Sequence, residues 1–307
     1  MFFRSSMTEA EDRLLIRAMN ISFVVSVALL AVKIAAAAIT GSSAIYSDAA
    51  ESVVNVLAAA FASYTLRLSR KPADEDHHYG HEKASFLSAG FEGAMITAAA
   101  CFILYESVHK LAVGGTVQQT GLGLILTIAT TAVNCLLGLM LVRQGRRHHS
   151  LVLEANGQHI LTDVWTSAGV VAGLVLVMAT GRAFWDPLAA ILVAANILLT
   201  GWSIVKRSLG GLMDASDPEA EKTIREVLER ETSSRGLQFH QVRYRHSGRT
   251  HWVEFHLLFA DQTRIDEAHA VATRIEAVLH EKLAPSARII THLEPLSAAG
   301  DMEEWEK

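Results

Sequence analysis

A chain of 307 residues that is 50% hydrophobic and 19% charged, with a mean hydropathy of +0.26, is too apolar for a soluble domain of this length and reads as a membrane protein. Its formal net charge of −5 excludes a binder driven by attraction to nucleic acid, and the basic residues fall at the ends of apolar segments instead of forming a patch. The two cysteines, Cys101 and Cys135, lie in separate apolar segments, which excludes a disulfide framework and a CxxC metal site and leaves them as small packing residues.

The first residues, MFFRSSMTEAEDRLLIR, are charged and lack a short apolar core followed by a cleavage site, so no removable signal peptide is expected. Apolar segments of helical length then run over 15–39, 44–66, 86–111, 119–142, 152–180 and 186–209. Each is near the roughly 20 residues that span a hydrocarbon core, which predicts a bundle of six transmembrane helices. Arg13 and Arg17 precede the first segment, Arg67, Arg70, Lys71 and Lys83 separate the second from the third, and Arg143, Arg146 and Arg147 separate the fourth from the fifth. Lys206 and Arg207 close the sixth, while the other three loops are poor in positive charge, so both termini are expected on the cytoplasmic side.

From Asp214 the composition becomes that of a soluble domain. DPEAEKTIREVLERET reads as an amphipathic helix with Ile224, Val227 and Leu228 on its apolar face. LQFHQVRYRH and THWVEFHLLF alternate as strands around Ser247-Gly248-Arg249 and suit a β-hairpin. A helix over 264–283 and a strand, ARIITHLEP, complete an α-β-β-α-β order, the pattern of a small ferredoxin-like α+β sandwich. The expected division is a membrane domain over 1–213, a cytoplasmic domain over 214–296 and a disordered tail over 297–307.

The polar residues inside apolar segments carry the chemistry. His159 and Asp163 lie four apart in the fifth segment, on one helical face, and ionisable groups at that depth are costly and usually functional. In the second segment, SDAAESVVN holds Asp48, Glu51 and Asn55, and Glu51 and Asn55 repeat the spacing of four. If the two helices pack together, Glu51, Asn55, His159 and Asp163 supply three oxygens and one imidazole nitrogen, a tetrahedral shell for a divalent ion. The competing reading is a set of interhelical hydrogen bonds.

The loop KPADEDHHYGHEK places Asp74, Asp76, His77, His78 and His81 close together, and Asp74, His77 and His81 form a second candidate metal array, with Gly80 permitting the bend. A solvated polar loop is the alternative. In the soluble domain, His240, His256, His269, His292 and Glu294 are distributed over three strands and a helix, and each histidine taken singly is an ordinary surface or core residue.

At these residues the chain resembles the cation diffusion facilitators, a family of proton-coupled metal-efflux transporters that includes zinc/iron exporters. SDAAESVVN, PADEDHHYGHEKA and LEANGQHILTDVWTS stand in order and at the family's spacing, and the resemblance runs from the first helix to about Pro295. It implies a transport site at Glu51, Asn55, His159 and Asp163, a loop site at Asp74, His77 and His81, and a binuclear cytoplasmic site at His240, His256, His269, His292 and Glu294. It also implies a charged interlock of Lys83 and Asp214, a homodimer in the inner membrane, protons as counter-ion, and divalent metal as substrate and regulator in place of a catalytic cofactor.

The second-helix pair departs from the family's usual His or Asp followed by Asp. An amide at position 55 lowers affinity, removes one proton-binding group and hardens the ligand set, away from zinc and toward iron(II), manganese(II) or cobalt(II). Zinc remains the family expectation, with cadmium a further candidate. Alternating access by proton antiport is the expected mechanism. A membrane metalloenzyme is the weaker reading, since there is no HExxH motif. A channel fits less well, because a four-ligand cage holds its ion too firmly for fast exit.

Overall fold

A computed structural model describes residues 6–40, 43–113, 121–182, 184–283 and 286–297. Six helices come first: α1 (Ser6–Thr40), α2 (Ser43–Leu68), α3 (Ala84–Val113), α4 (Gly121–Arg147), α5 (Leu151–Thr180) and α6 (Trp185–Leu212). A helix, two strands, a helix and a strand follow: α7 (Pro218–Ser233), β1 (Gln238–His246), β2 (His251–Phe259), α8 (Ile265–Lys282) and β3 (Ala287–Pro295). The chain divides into two compact units, Met1–Leu209 and Gly210–Lys307. The tail expected over 297–307 lies, from residue 298 on, outside the described residues.

Among the described residues, Ala10–Ile39, Ala84–His109, Ile128–Arg147 and Pro187–Leu212 are long and apolar enough to cross a membrane, and Ser52–Leu68 is a shorter apolar stretch. Large apolar side chains such as Ile39, Phe102, Leu136, Met178 and Leu199 stand on the outside of the bundle. So many large apolar side chains on the outside are unusual for a soluble protein, and the surface suits a lipid environment.

Small residues set how closely the helices approach. A Cβ at Gly93 of α3 would stand 3.0 Å from the backbone nitrogen of Val205 in α6, and one at Gly201 of α6 would stand 2.9 Å from the backbone nitrogen of Thr97. The α4–α5 crossing is equally tight: a Cβ at Gly157 would meet the Val142 backbone nitrogen at 2.8 Å. Close backbone approach through small residues is how helices associate where water supplies no hydrophobic drive. α5 belongs to both buried clusters of the bundle, through Val152, Leu153 and Ile160 in one and Ala155 in the other.

α1 begins earlier than the apolar segment predicted because its polar first turns find partners. Asp12 pairs with Arg70 and Glu11 with His148, 3.5 Å away. The α4–α5 connection turns through His149, at a φ of 50, and Ser150 donates its backbone N–H to Gly145 at 2.8 Å.

In the second unit α7 starts on Asp217, whose carboxylate accepts from the backbone N–H of Glu219 at 2.9 Å, with Pro218 at the first helical position. The three strands run in the order β1-β2-β3, β1 antiparallel and β2–β3 parallel. Odd-numbered β2 residues Val253, Phe255, Leu257 and Phe259 pack on Ile224, Val227 and Leu228 of α7 and on Ala272, Ile275 and Leu279 of α8. The even-numbered residues of β2 therefore point to the opposite, helix-free face.

β1 changes phase on the way. His240 pairs with His256 but Arg243 with Glu254, so one extra residue is accommodated, with Gln241 at a φ of 49. The bulge lets Phe239 and then Val242 and Tyr244 all reach the core while His240 stays on the other face. A regular strand would force Val242 and Tyr244 onto the face of His240.

Candidate metal centres

In the membrane unit α2 and α5 bring Asn55, His159 and Asp163 together. Asn55 Nδ2 donates to Asp163 Oδ2 at 2.6 Å, and Asn55 Oδ1 lies 2.9 Å from His159 Nε2. With the amide so oriented, Nε2 carries the imidazole proton and Nδ1 carries the lone pair. His159 is 8% exposed, and its Nδ1 has no hydrogen-bond partner among the described residues, so a buried imidazole lone pair is left over, with the Asp163 carboxylate one helical turn further on. Glu51 lies one turn before Asn55 on α2, and its side chain, like that of Asp48, is outside the described residues. Lys33 of α1 donates to Ser52 Oγ at 2.8 Å, which places a cation on the helix surface next to position 51.

The same face of α5 continues past the site. Asn156, His159 and Asp163 stand at i, i+3 and i+7, one stripe of a helix. Asn156 accepts from Ser22 Oγ of α1 at 2.9 Å and donates to Glu92 Oε1 of α3 at 3.4 Å. Nearer the start of α5, Glu154 is held by Arg146 at 3.2 Å and by Arg207 at 2.9 Å. None of Ser22, Glu92 and Asn156 was singled out from the sequence. Glu92 carried the signal that picked out His159, an ionisable residue inside an apolar segment.

In the loop between α2 and α3, Asp74, His77 and His81 converge with ligand atoms all within 4.8 Å of one another. Asp74 Oδ1 accepts the backbone N–H of His77 at 2.8 Å, and His81 Nε2 lies 3.4 Å from Asp74 Oδ2. Gly80, at a φ of 81, makes the turn that returns His81 to the site. Slight burial of the Asp74 carboxyl raises its pKa, but hydrogen bonds from His77 and the charges of His81 and His77 outweigh this and leave it below the ordinary 3.8. Asp76 and His78 stand exposed in the same loop, outside that cluster.

On the helix-free face of the sheet, His240, His256 and His292 occupy one row across β1, β2 and β3. Their rings are spaced 5.0 Å and 4.8 Å apart. Glu294, only 6% exposed, reaches back to all three, at 2.9 Å to His240 Nε2, 2.8 Å to His256 Nδ1 and 3.4 Å to His292 Nε2. His240, His256 and Glu294 form the tightest group, with ligand atoms within 4.8 Å, and His292 opens to solvent beside them. Burial raises the Glu294 pKa, yet hydrogen bonds from His240 and His256 and their charges overcome it and hold the carboxyl below 4.5. His269 is exposed on α8 and does not belong to that tightest group. Lys83 precedes α3 in the first unit, and Asp214, at a φ of 59, follows α6 in the second, where Arg245 lies 3.5 Å from it.

Comparison with known proteins agrees with this architecture. Residues 19–213 match the model of the cation efflux transmembrane domain and residues 216–296 that of the cation efflux protein cytoplasmic domain. An uncharacterized transporter of Synechocystis sp., sll1263, is 38% identical over 281 residues, covering 92% of this chain and 89% of its own. The cation-efflux pump FieF of Shewanella oneidensis is 27% identical, covering 90% and 92%, and that of Citrobacter koseri is 27% identical, covering 95% and 96%. With both domain models matched in order over most of its length, the chain belongs to the cation efflux family, the cation diffusion facilitators, and is a multi-pass membrane transporter of metal cations.

Proposed function

We propose that this protein exports a divalent transition-metal ion from the cytoplasm in exchange for protons, by alternating access at the site of Glu51, Asn55, His159 and Asp163. The observation that carries the reading is the amide bridge: Asn55 satisfies Asp163 at 2.6 Å and His159 at 2.9 Å while His159 Nδ1 keeps its lone pair. A site of this kind is self-paired without metal and has ligands to offer when the amide turns. Carboxylate and imidazole bind metal only when deprotonated, so metal and protons compete for the same groups. An inward proton gradient then drives metal outward as each side is exposed in turn.

The donor set of three oxygens and one nitrogen favours iron(II), manganese(II) or cobalt(II) more than the family's zinc sites do, and zinc remains a substrate. The cytoplasmic cluster has the opposite character. Its imidazoles and single carboxylate suit zinc, and metal there draws the second units of a homodimer together and biases the membrane helices. The protein lies in the inner membrane with both termini in the cytoplasm, as its loop charges favour.

The test is metal flux into vesicles carrying a metal-sensitive dye under an imposed pH gradient. Flux that depends on the gradient and is abolished by Asp163→Ala supports the reading. Flux indifferent to the gradient removes the proton coupling, and flux surviving Asp163→Ala removes the site.

A further inference from the structure

Glu92 is 0% exposed in the first third of α3, and among the described residues it has a single donor within hydrogen-bond reach, the Asn156 amide at 3.4 Å. Its Oε2 is buried with no hydrogen-bond partner among the described residues. Ala89 and Ile96, about one turn to either side of it on the same face of α3, belong to an apolar cluster with Ala155 of α5 and Ile197 and Ile204 of α6. A carboxylate in such surroundings with no cation beside it costs far more than one hydrogen bond returns, so its charge must be cancelled. A proton cancels it with no change of shape.

The neighbouring elements offer no other compensation among the described residues. On α5, Glu154 is taken by Arg146 and Arg207, and His159 faces Asn55. On α6, Arg207 is spent on Glu154, and on α2, Arg67 donates to Asn20 of α1. Asn156, the one polar group that touches Glu92 among the described residues, is on the α5 stripe that carries His159 and Asp163. A displacement of α5 that rearranges the metal ligands moves this donor to Glu92 with them.

We propose that Glu92 is a second proton-carrying position of the transport cycle, distinct from the metal ligands and coupled to them through Asn156. The proposal rests on the proton-coupled reading above. When metal seats on α5, Asn156 shifts, Glu92 gives up its proton to water on the side then open, and it takes one back on the other side. No bond other than that O–H is made or broken.

The test counts protons. Purified full-length protein is titrated with zinc and with manganese in weakly buffered solution containing a pH indicator, for the wild type, Glu92→Gln, Glu92→Asp and Asp163→Ala. The expected result is that Glu92→Gln releases about one proton fewer per metal bound and Glu92→Asp restores the count. In parallel, a carboxylic-acid C=O band should vanish from the infrared spectrum of the wild type on metal addition, and that change should be missing in Glu92→Gln. Equal proton counts in wild type and Glu92→Gln would overturn the proposal while leaving coupling at the metal ligands intact. A wild type that releases no protons at all would sink the coupled reading itself. If Glu92→Gln does not fold, the infrared change in the wild type and in Glu92→Asp decides: a conserved carboxyl band through metal binding in both refutes the proposal.

Discussion

Replacing Asn55 by aspartate turns the amide nitrogen that lies 2.6 Å from Asp163 Oδ2 into a second carboxylate oxygen. At an effective dielectric constant of about 20, two unit charges at that separation repel by about 6 kcal/mol, equivalent to more than four decades in an equilibrium constant. The metal-free variant therefore holds one proton between the two carboxyls, as paired aspartates do. A divalent ion must displace that proton, so Asn55→Asp releases about one more proton per metal than the wild type, and its apparent affinity climbs more steeply with pH by about tenfold per pH unit. Calorimetric titration with zinc and with manganese, in buffers of different ionisation enthalpy, reads both quantities. The added carboxylate should also raise the affinity for both ions above that of the wild type at alkaline pH. An unchanged proton count would mean that position 55 does not meet Asp163 and would refute the geometry.

Further outcomes follow from the other centres and the packing. Glu294→Gln removes the one anion shared by three imidazoles, and zinc affinity of the cytoplasmic cluster should fall by about 100-fold or more, measured against a competing chelator. Because the Glu294 carboxyl is held below 4.5 in the folded protein, its contribution to stability is present above that value and lost as pH falls through the lowered one. Melting curves of metal-free wild type and Glu294→Gln should thus differ near neutrality and converge as the pH falls below the ordinary glutamate range. Asp74→Ala should weaken metal binding at the loop site by about tenfold or more while leaving the zinc content of the cytoplasmic cluster unchanged, as read by site-resolved metal analysis. Gly93→Leu drives a side chain into the Val205 backbone and should destabilise the bundle by about 1–3 kcal/mol in thermal denaturation, whereas Leu199→Ala, at a position 72% exposed, should change little.

The sequence was most informative where one periodicity held over many residues. Long apolar runs placed α1 to α6, and the alternation in THWVEFHLLF placed β2 to within a residue, because one face of each must be buried. It was least informative where partners are remote. The first turns of α1 look like a solvated tail until Arg70 and His148 supply their partners. The bulge at Gln241 leaves no local mark, since its cause is the pairing of His240 with His256 and of Arg243 with Glu254. Among candidate ligands, residues sharing one short segment, such as Asp74, His77 and His81, were legible as a group. His269 was grouped with the sheet histidines only by family resemblance, and it stands exposed on α8. Glu92 was legible as an ionisable residue in an apolar run, but not as a neighbour of α5, because nothing in its own helix names Asn156.

The arginine clamp on Glu154 makes α5 a lever. Glu154 is fixed to α4 by Arg146 and to α6 by Arg207, and His159 lies five residues further on, about 7.5 Å along the axis at 1.5 Å per residue. A pivot of roughly 15° about that fulcrum swings His159 by about 2 Å, enough to break a contact that starts at 2.9 Å, while Asn156, two residues from the fulcrum, travels about 0.8 Å, enough to lose a contact with Glu92 that starts at 3.4 Å. The same rotation therefore opens the amide bridge at the metal ligands and loosens the Asn156–Glu92 contact, so a small angular motion of one helix is amplified where the ion sits and still felt at the buried carboxyl nearer the fulcrum.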